Sequence, residues 1–484
     1  MLKNRLPKTR IAVLVALSTM ALTSMAASPD VKVEVDDQLT TDADGDGNVD
    51  RGDTVTYQGE VDNSAGTDEA QNVVYEATLD ANTTLVAGSV KVTPVAVDDE
   101  YDTLGNVTFS ANVADGLLNN DFDPKDANAP TNAGMTVTAE TVTTTQGGTA
   151  TINADGSFSY NPVLNFTGTD TFSYTAVDDD AMTGTGTVTV NVTGKVFFVD
   201  DSAAAGGDGS QAMPFNDFSA INGAGGVGDV DEANDVIYLF EGTYADTLEL
   251  ENNQKVVGAG SELSAGSATI IPAGTAPSYS GNFTLASNNT IEGFDFSPTT
   301  GYSISGSGAS GGIIQNSSLT LSGTGGAFDL DNHSGNFVYT GNITGSTSVN
   351  AVAVDGGTPS ITLDGDVTVS GGRNIDLRNI TGGGLSVTGT LSNNGGSAIN
   401  LFNNSGSPSF EFGDVVVTSG VGTAVNLEDG LTATYSFNGD LDITTTNGDG
   451  LIVNNGLLNL SDANTYNNSP NASGHSEFYL GSCA

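Results

Sequence analysis

Between about Gly323 and Asn455 one pattern returns five or six times, and it restricts the fold more than any other feature of the chain. Gly341, Gly365, Gly389, Gly413 and Gly439 fall at steps of 24, 24, 24 and 26 residues. Each ends a short alternating run such as Ser360-Ile361-Thr362-Leu363-Asp364. A second column keeps step: Phe328, Val352, Ile375, Ile399, Val425 and Leu451, each followed two residues later by Leu330, Val354, Leu377, Leu401, Leu427 or Val453. Two apolar columns in phase require stacked supersecondary units, each covering the next. Period-2 alternation without helical spacing, with abundant Gly, Asn, Ser and Thr, predicts the coils of a parallel β-helix. From Asp235 to Asn468 there is room for roughly 10 coils, a rod of about 50 Å at the spacing of paired strands.

Charge limits the partners. Across 484 residues, 12 Lys plus Arg stand against 59 Asp plus Glu, a net charge of -47. Nucleic acids and anionic lipid surfaces need a basic stripe, which this chain lacks, so neither is an expected partner. Cations are the expected ones, because they relieve the self-repulsion of a compact acidic chain. The same acidity also suits a protein kept soluble in a salty habitat. Cys483 is the single cysteine, so core burial and bound ions must do the work of disulfides.

Residues 1–26 read as a secretory signal peptide: Lys3, Arg5, Lys8 and Arg10, an apolar run from Ile11 to Leu22, then Ser24-Met25-Ala26. The protein is thus expected to be exported, to the cell surface or beyond it. No later stretch of about 20 apolar residues offers a membrane span. Residues 27–95 alternate in strand-length pieces, Val31–Val35, Asp53–Tyr57, Asn72–Tyr75 and Ser89–Val92, and predict one small β-sandwich. Through Gly52-Asp53-Thr54-Val55-Thr56-Tyr57 and Asn72-Val73-Val74 this module resembles the Ig-like DUF11-type modules of bacterial surface proteins. Residues 96–193 carry, in order, Ala96-Val97-Asp98-Asp99, Gly116-Leu117-Leu118-Asn119-Asn120-Asp121, Gly156-Ser157-Phe158-Ser159-Tyr160, Phe166-Thr167-Gly168-Thr169-Asp170 and Phe172-Ser173-Tyr174. That succession resembles the cadherin-like Ig domains of large bacterial adhesins. The residues themselves also predict a sandwich, since Phe158/Tyr160 and Phe172/Tyr174 alternate toward one side.

Past Thr193 the composition shifts. Val196-Phe197-Phe198-Val199-Asp200, Pro214-Phe215 and Asp235–Leu239 with Gly242-Thr243-Tyr244 resemble the entry into right-handed parallel β-helix domains of the pectate-lyase-like type. The expected fold is therefore all-β: two sandwich modules followed by a right-handed parallel β-helix over 194–468. After Leu460 the pattern fades, and 469–484 read as an irregular tail without a cap. A truncated version of a longer protein would end this way.

The sharpest motif is Asp42-Ala43-Asp44-Gly45-Asp46-Gly47-Asn48-Val49-Asp50-Arg51-Gly52-Asp53. Asp42, Asp44, Asp46, Asp50 and Asp53 take positions 1, 3, 5, 9 and 12 of a calcium loop, Gly47 the sharp turn at 6, and Asn48 the carbonyl position at 7. Position 12 is the shorter Asp and no helix flanks the loop; an acidic solvated linker is the plainer alternative. Asp98, Asp99, Asp121 and Asp123, with Asp170 and Asp178 to Asp180, form a second acidic set at strand ends. The cadherin-like resemblance implies that such residues bind calcium; exposed acidic turns are again the alternative. On the β-helix, alternation puts Asp331, Asp355, Arg378, Phe402, Glu428 and Asn454 in one outward column, with Asp376 on the same face. Asp355, Asp376, Arg378 and Phe402 suit contact with a polysaccharide or surface glycan, and stacked surface side chains explain them as well. His333 reads as a turn residue.

Three functions stay open on the sequence. A calcium-stabilised surface adhesin or glycan-binding structural protein is the first. A polysaccharide lyase or hydrolase acting from the β-helix is the second, although only Lys255, Arg373 and Arg378 supply cations beyond Lys195. A passive structural fragment is the third.

Overall fold

The computed structural model describes residues 32–480 apart from 48, 50–51, 63–83, 87–88, 126–130, 224–228, 267, 421, 430–431, 446–448, 461–465 and 469–477. The signal-peptide segment and the expected strand Asn72–Tyr75 lie outside the described residues. The chain divides into two compact units, Met1–Lys91 and Val92–Ala484. Apart from one short 3-10 turn at Val113–Asp115, every regular element among the described residues is a strand.

In the first unit Lys32–Thr41 and Thr54–Asp62 form an antiparallel hairpin, in register from Lys32↔Asp62 to Thr41↔Thr54. Ser89–Val92, expected as a strand, forms none. Val90 stays exposed there, so its alternation has no apolar surface to cover.

The second unit opens with a sandwich. One sheet joins Thr136–Val137, Gly168–Val177, Thr183–Val199 and Asp99–Gly105; the other joins Phe109–Ala111, Phe158–Asn161, Thr149–Ile152 and Glu140–Thr143. The alternating aromatics do what their period requires: Phe158, Tyr160, Phe172 and Tyr174 all point into the core with Val188, Val190 and Val192. Phe158 meets Phe172 edge-on at 5.6 Å, the geometry that the ring quadrupoles favour.

Thr183–Val199 then crosses the boundary that the composition suggests. Up to Val192 it pairs antiparallel with Gly168–Val177, and from Val188 to Lys195 it pairs parallel with Asp99–Gly105. From Val196 to Val199 the same strand pairs parallel with Val236–Leu239 and is the first rung of the solenoid. Thr193 lies inside a strand, and no linker separates the two folds. A shared core seals the joint: Leu104 and Val107 of the sandwich are buried with Val196, Phe198, Tyr238 and Val257. The antiparallel hairpin Leu263–Ala265/Ala268–Ile271 interrupts the early, irregular rungs, and its Leu263 and Ala265 enter this core. Phe198 N donates to Gly209 O at 2.9 Å and Phe215 N to Phe198 O at 2.9 Å, so the 207–215 segment covers the free edge of the first rung.

Beyond it, three parallel ladders wind upward. One runs from Val236–Leu239 through Lys255–Gly258 and Phe337-bearing Ser334–Tyr339 to Leu457–Leu460. The apolar columns read from the sequence are the register: Phe328↔Val352↔Ile375↔Ile399↔Val425↔Leu451, with Leu330↔Val354↔Leu377↔Leu401↔Leu427↔Val453 beside them. All are buried, each contributing about 1.5–3 kcal/mol by the area it removes from water.

The glycine column has a different cause from turn-forming freedom. None of its five members has positive φ. A Cβ on Gly365 would sit 2.3 Å from Gly341 O, one on Gly389 2.4 Å from Gly365 O, and one on Gly413 2.8 Å from Gly389 O. Successive rungs stack backbone on backbone at this corner, leaving no room for a side chain. At another corner Asn332, Asn379, Asn403 and Asn455 do adopt left-handed φ of 51–73°, which asparagine tolerates.

Two features go beyond the sequence pattern. Tyr466–Asn468 pairs with Leu441–Thr445, and Phe478–Leu480 with Leu451–Val453, so the ladder runs on past Leu460 and into the stretch expected to be irregular. His333 is in a turn, as expected, but its ring is fully buried, edge-on to Phe337 at 5.8 Å, and neither ring nitrogen has a partner among the described residues. Burial lowers its pKa, keeping the imidazole neutral.

If backbone contact sets the glycine column, Gly389→Ala forces rungs apart and costs about 1–3 kcal/mol. The midpoint of denaturant unfolding reports it, with Thr368→Ala on an outward position as the control that stays within about 0.5 kcal/mol.

Candidate functional site

Three groups of residues carry candidate chemistry. The first closes the hairpin of the Met1–Lys91 unit: strand pairing stops at Thr41↔Thr54, and residues 42–53 form the whole connection. Gly45 N and Gly47 N donate to the two oxygens of Asp42, each at 2.7 Å, and Ala43 N donates to Asp53 Oδ1 at 2.8 Å. Gly45 and Gly47 both take φ of 76°, which a side chain resists. The folded loop brings oxygens of Asp42, Asp44 and Asp46 within 4.8 Å of one another. Such hard oxygen donors fit a divalent cation of calcium's size. The loop amides, Gly47 N–H foremost, hold the Asp42 carboxyl below its ordinary value, so it is ionised and ready to ligate. Asn48 and Asp50 lie outside the described residues.

The acidic residues of the sandwich do not gather at one point; among the described residues Asp42, Asp44 and Asp46 are the one set of three that does. Asp98 Oδ1 accepts from Thr187 N at 2.8 Å, and Asp123 Oδ1 from Lys125 N at 2.9 Å. Asp170 is a structural pin, accepting from Thr145 Oγ1, Gln146 N, Tyr160 Oη and Thr171 N at 2.8–2.9 Å. Asp99 and Asp121 are brought together. Tyr174 Oη lies 2.9 and 3.0 Å from the two oxygens of Asp121, and Val97 N donates to one of them at 2.7 Å. Asp99 stands beside them, its Oδ2 buried and unbonded among the described residues. Burial first, and then the Asp121 charge, push its carboxyl up to about 7. With the buried Asp121 beside it, the protonated form of Asp99 is favoured.

On the solenoid the expected outward column is present: Asp331↔Asp355↔Arg378↔Phe402↔Glu428. Arg378 Nε and Nη2 reach Asp376 Oδ1 and Oδ2 at 3.0 and 2.9 Å, a forked pair of charge-assisted bonds. Asp376 also accepts from Asn350 Nδ2 at 2.7 Å and Asn400 Nδ2 at 2.6 Å, with Arg373 Nη1 at 3.5 Å, and is 4 % exposed beneath them. Asp355 Oδ1 accepts from Asn379 Nδ2 at 2.8 Å. Phe402, 46 % exposed, stands one strand above Arg378. Sequence reasoning does not find the roles of Arg373, Asn350 and Asn400. Asn400 follows Asp376 by one rung, and that spacing is the signal that locates it.

The Val92–Ala484 unit is thus a β-sandwich continuing into a parallel β-solenoid, a class of architecture rather than a reaction. Residues 91–194 match the family model of the bacterial cadherin-like domain. That match agrees with the cadherin-like reading of 96–193. It extends to neither the hairpin unit nor the solenoid, whose DUF11-type and pectate-lyase-type resemblances gain no support. No curated protein and no solved structure matches the chain.

The Asp99 carboxyl gives the sandwich a pH signature. Folded, it keeps its proton up to about 7, whereas the ordinary value is 3.8. The stability this supplies is full at low pH and is lost as pH rises through about 7. Wild-type melting temperature, without divalent cations, is therefore expected to fall more between about pH 5 and about pH 8 than that of Asp99→Asn. Parallel slopes in calorimetry would contradict it.

Proposed function

We propose that this protein is an exported surface adhesin of structural type, stabilised by calcium at the 42–53 loop and contacting glycans through the Arg378–Phe402 face of its solenoid. The observation that carries the reading is the cadherin-like sandwich merging into a long solenoid, a stalk and a display surface in one piece. Cadherin-like domains generally bind calcium, and the loop's converging carboxylates supply a donor set for it outside that domain. An exposed aromatic ring beside an anchored guanidinium presents an apolar face and a directed donor, which suits a sugar ring. Asp376 supports binding over catalysis: its two oxygens are already engaged by Arg378, Asn350 and Asn400, and it is buried beneath them.

Calcium at about a hundred times its dissociation constant is expected to stabilise the hairpin unit by about 2.7 kcal/mol. Thermal unfolding of the mature chain with and without calcium checks this; the Asp42→Asn/Asp44→Asn/Asp46→Asn variant should lose the shift.

A panel of neutral and acidic polysaccharides tests the glycan reading. Retention without new reducing ends is expected, with Phe402→Ala or Arg378→Ala weakening it about fivefold or more, the loss of a contact worth at least about 1 kcal/mol. New reducing ends that vanish in the Arg378 variant would make the solenoid an enzyme instead.

A further inference from the structure

We propose that the cadherin-like sandwich is a shear-loaded mechanical clamp that passes tension directly into the solenoid. This goes beyond the adhesin reading and does not depend on any glycan contact.

Chain entering the second unit is first bridged at Val95 to Phe122 and then forms Asp99–Gly105, and chain leaving the sandwich departs along Thr183–Val199, so once that single bridge yields these two strands receive the pull. They are direct neighbours and run parallel, paired continuously from Val188↔Asp99 to Val192↔Thr103 and, past a register shift at Thr193-Gly194, at Lys195↔Gly105. Tension applied at Asp99 and beyond Lys195 therefore acts on opposite ends of one parallel ladder, along the strands. Its hydrogen bonds carry load together and must fail together. Pulling on the same end of both strands would open them one at a time.

Side chains reinforce the pair. Val188, Val190 and Val192 are buried in the sandwich core, so sliding the strand drags apolar surface into water. Asp98 Oδ1 accepts from Thr187 N at 2.8 Å and Asn191 Nδ2 donates to Glu100 Oε1 at 2.7 Å, two further bonds across the same seam. At the exit, Lys195 Nζ meets the buried Asp235 carboxylate at 3.0 Å. The strand then continues as the first rung, with Val196 and Phe198 sharing a core with Leu104 and Val107. Load leaving the sandwich crosses the register shift at Thr193-Gly194 and continues along the same strand.

The solenoid is built the other way. Each rung is held by ladders to its neighbours, and a pull on its far end peels one rung after another. Each peeled rung of 24 residues releases roughly 80 Å of chain.

Single-molecule force spectroscopy on the mature chain with Cys483→Ser tests this through cysteine pairs at exposed positions. Val97→Cys with Thr193→Cys loads the seam in shear; Val97→Cys with Thr185→Cys opens it from one end. The shear pair should rupture at higher force in a single event releasing roughly 300 Å. The second pair should open at lower force. With Val97→Cys and Asp442→Cys, rungs should peel first in roughly 80 Å steps and the sandwich should open last. Equal forces for the first two pairs, or a sandwich that opens before the rungs, would overturn the proposal. Matching circular dichroism of the variants establishes that all are folded before they are pulled.

Discussion

Everything in the second unit depends on backbone groups finding partners on the neighbouring rung. A chain with no disulfide pair, no tryptophan and a large excess of negative charge has few other ways to hold a long shape. In the solenoid each inner strand pairs with the strands before and after it, so its N–H and C=O groups find partners on both sides. This requirement fixes the register of each strand while the corners absorb differences in length: Val352↔Ile375 and Ile399↔Val425 keep one inward column across rungs of 23 and 26 residues. It also explains why glycine lines one corner: where carbonyls of successive rungs touch, even a methyl group is too large. Asp331, Asp355, Asp376 and Arg378 gather on one outward face.

The same requirement explains the joint with the sandwich. The first rung needs a covered edge and a filled interior beneath it. The edge is met by the 207–215 segment, and the interior is closed by Phe218 and Ile221, which are buried with the first inward column. A strand shared between the two folds then makes each a boundary of the other. The family matched by residues 91–194 accounts for the sandwich alone; the direction in which the solenoid starts is set by the geometry of that last strand.

Much of this is legible in the sequence, because inward positions in a stacked rung must be apolar and must recur. Phe328 and its successors announce the register, and spacing alone places Arg378 between Asp355 and Phe402. The strand through Thr193 is not legible. Thr193-Gly194-Lys195 looks like a break between two alternating runs, and nothing local distinguishes a boundary from a strand that changes neighbours. Ser89–Val92 misleads for the opposite reason, since alternation without a surface to bury does not make a strand. The donors around Asp376 are hidden because Asn350 and Asn400 lie a whole rung away, close only after folding. Asp98, Asp99, Asp121 and Asp123 look like one ligand set in sequence, yet strand direction sends Asp98 and Asp123 to backbone amides and leaves Asp99 with Asp121.

The corner glycines also bear on how such a rod can change over generations. Since Gly341, Gly365 and Gly389 stand in equivalent places on identical steps, a cut at one and a join at the next removes a whole turn and leaves every column continuous. Rod length is therefore an evolutionary variable that unequal recombination between repeats can alter in units of one coil. The joint with the sandwich need not change at all.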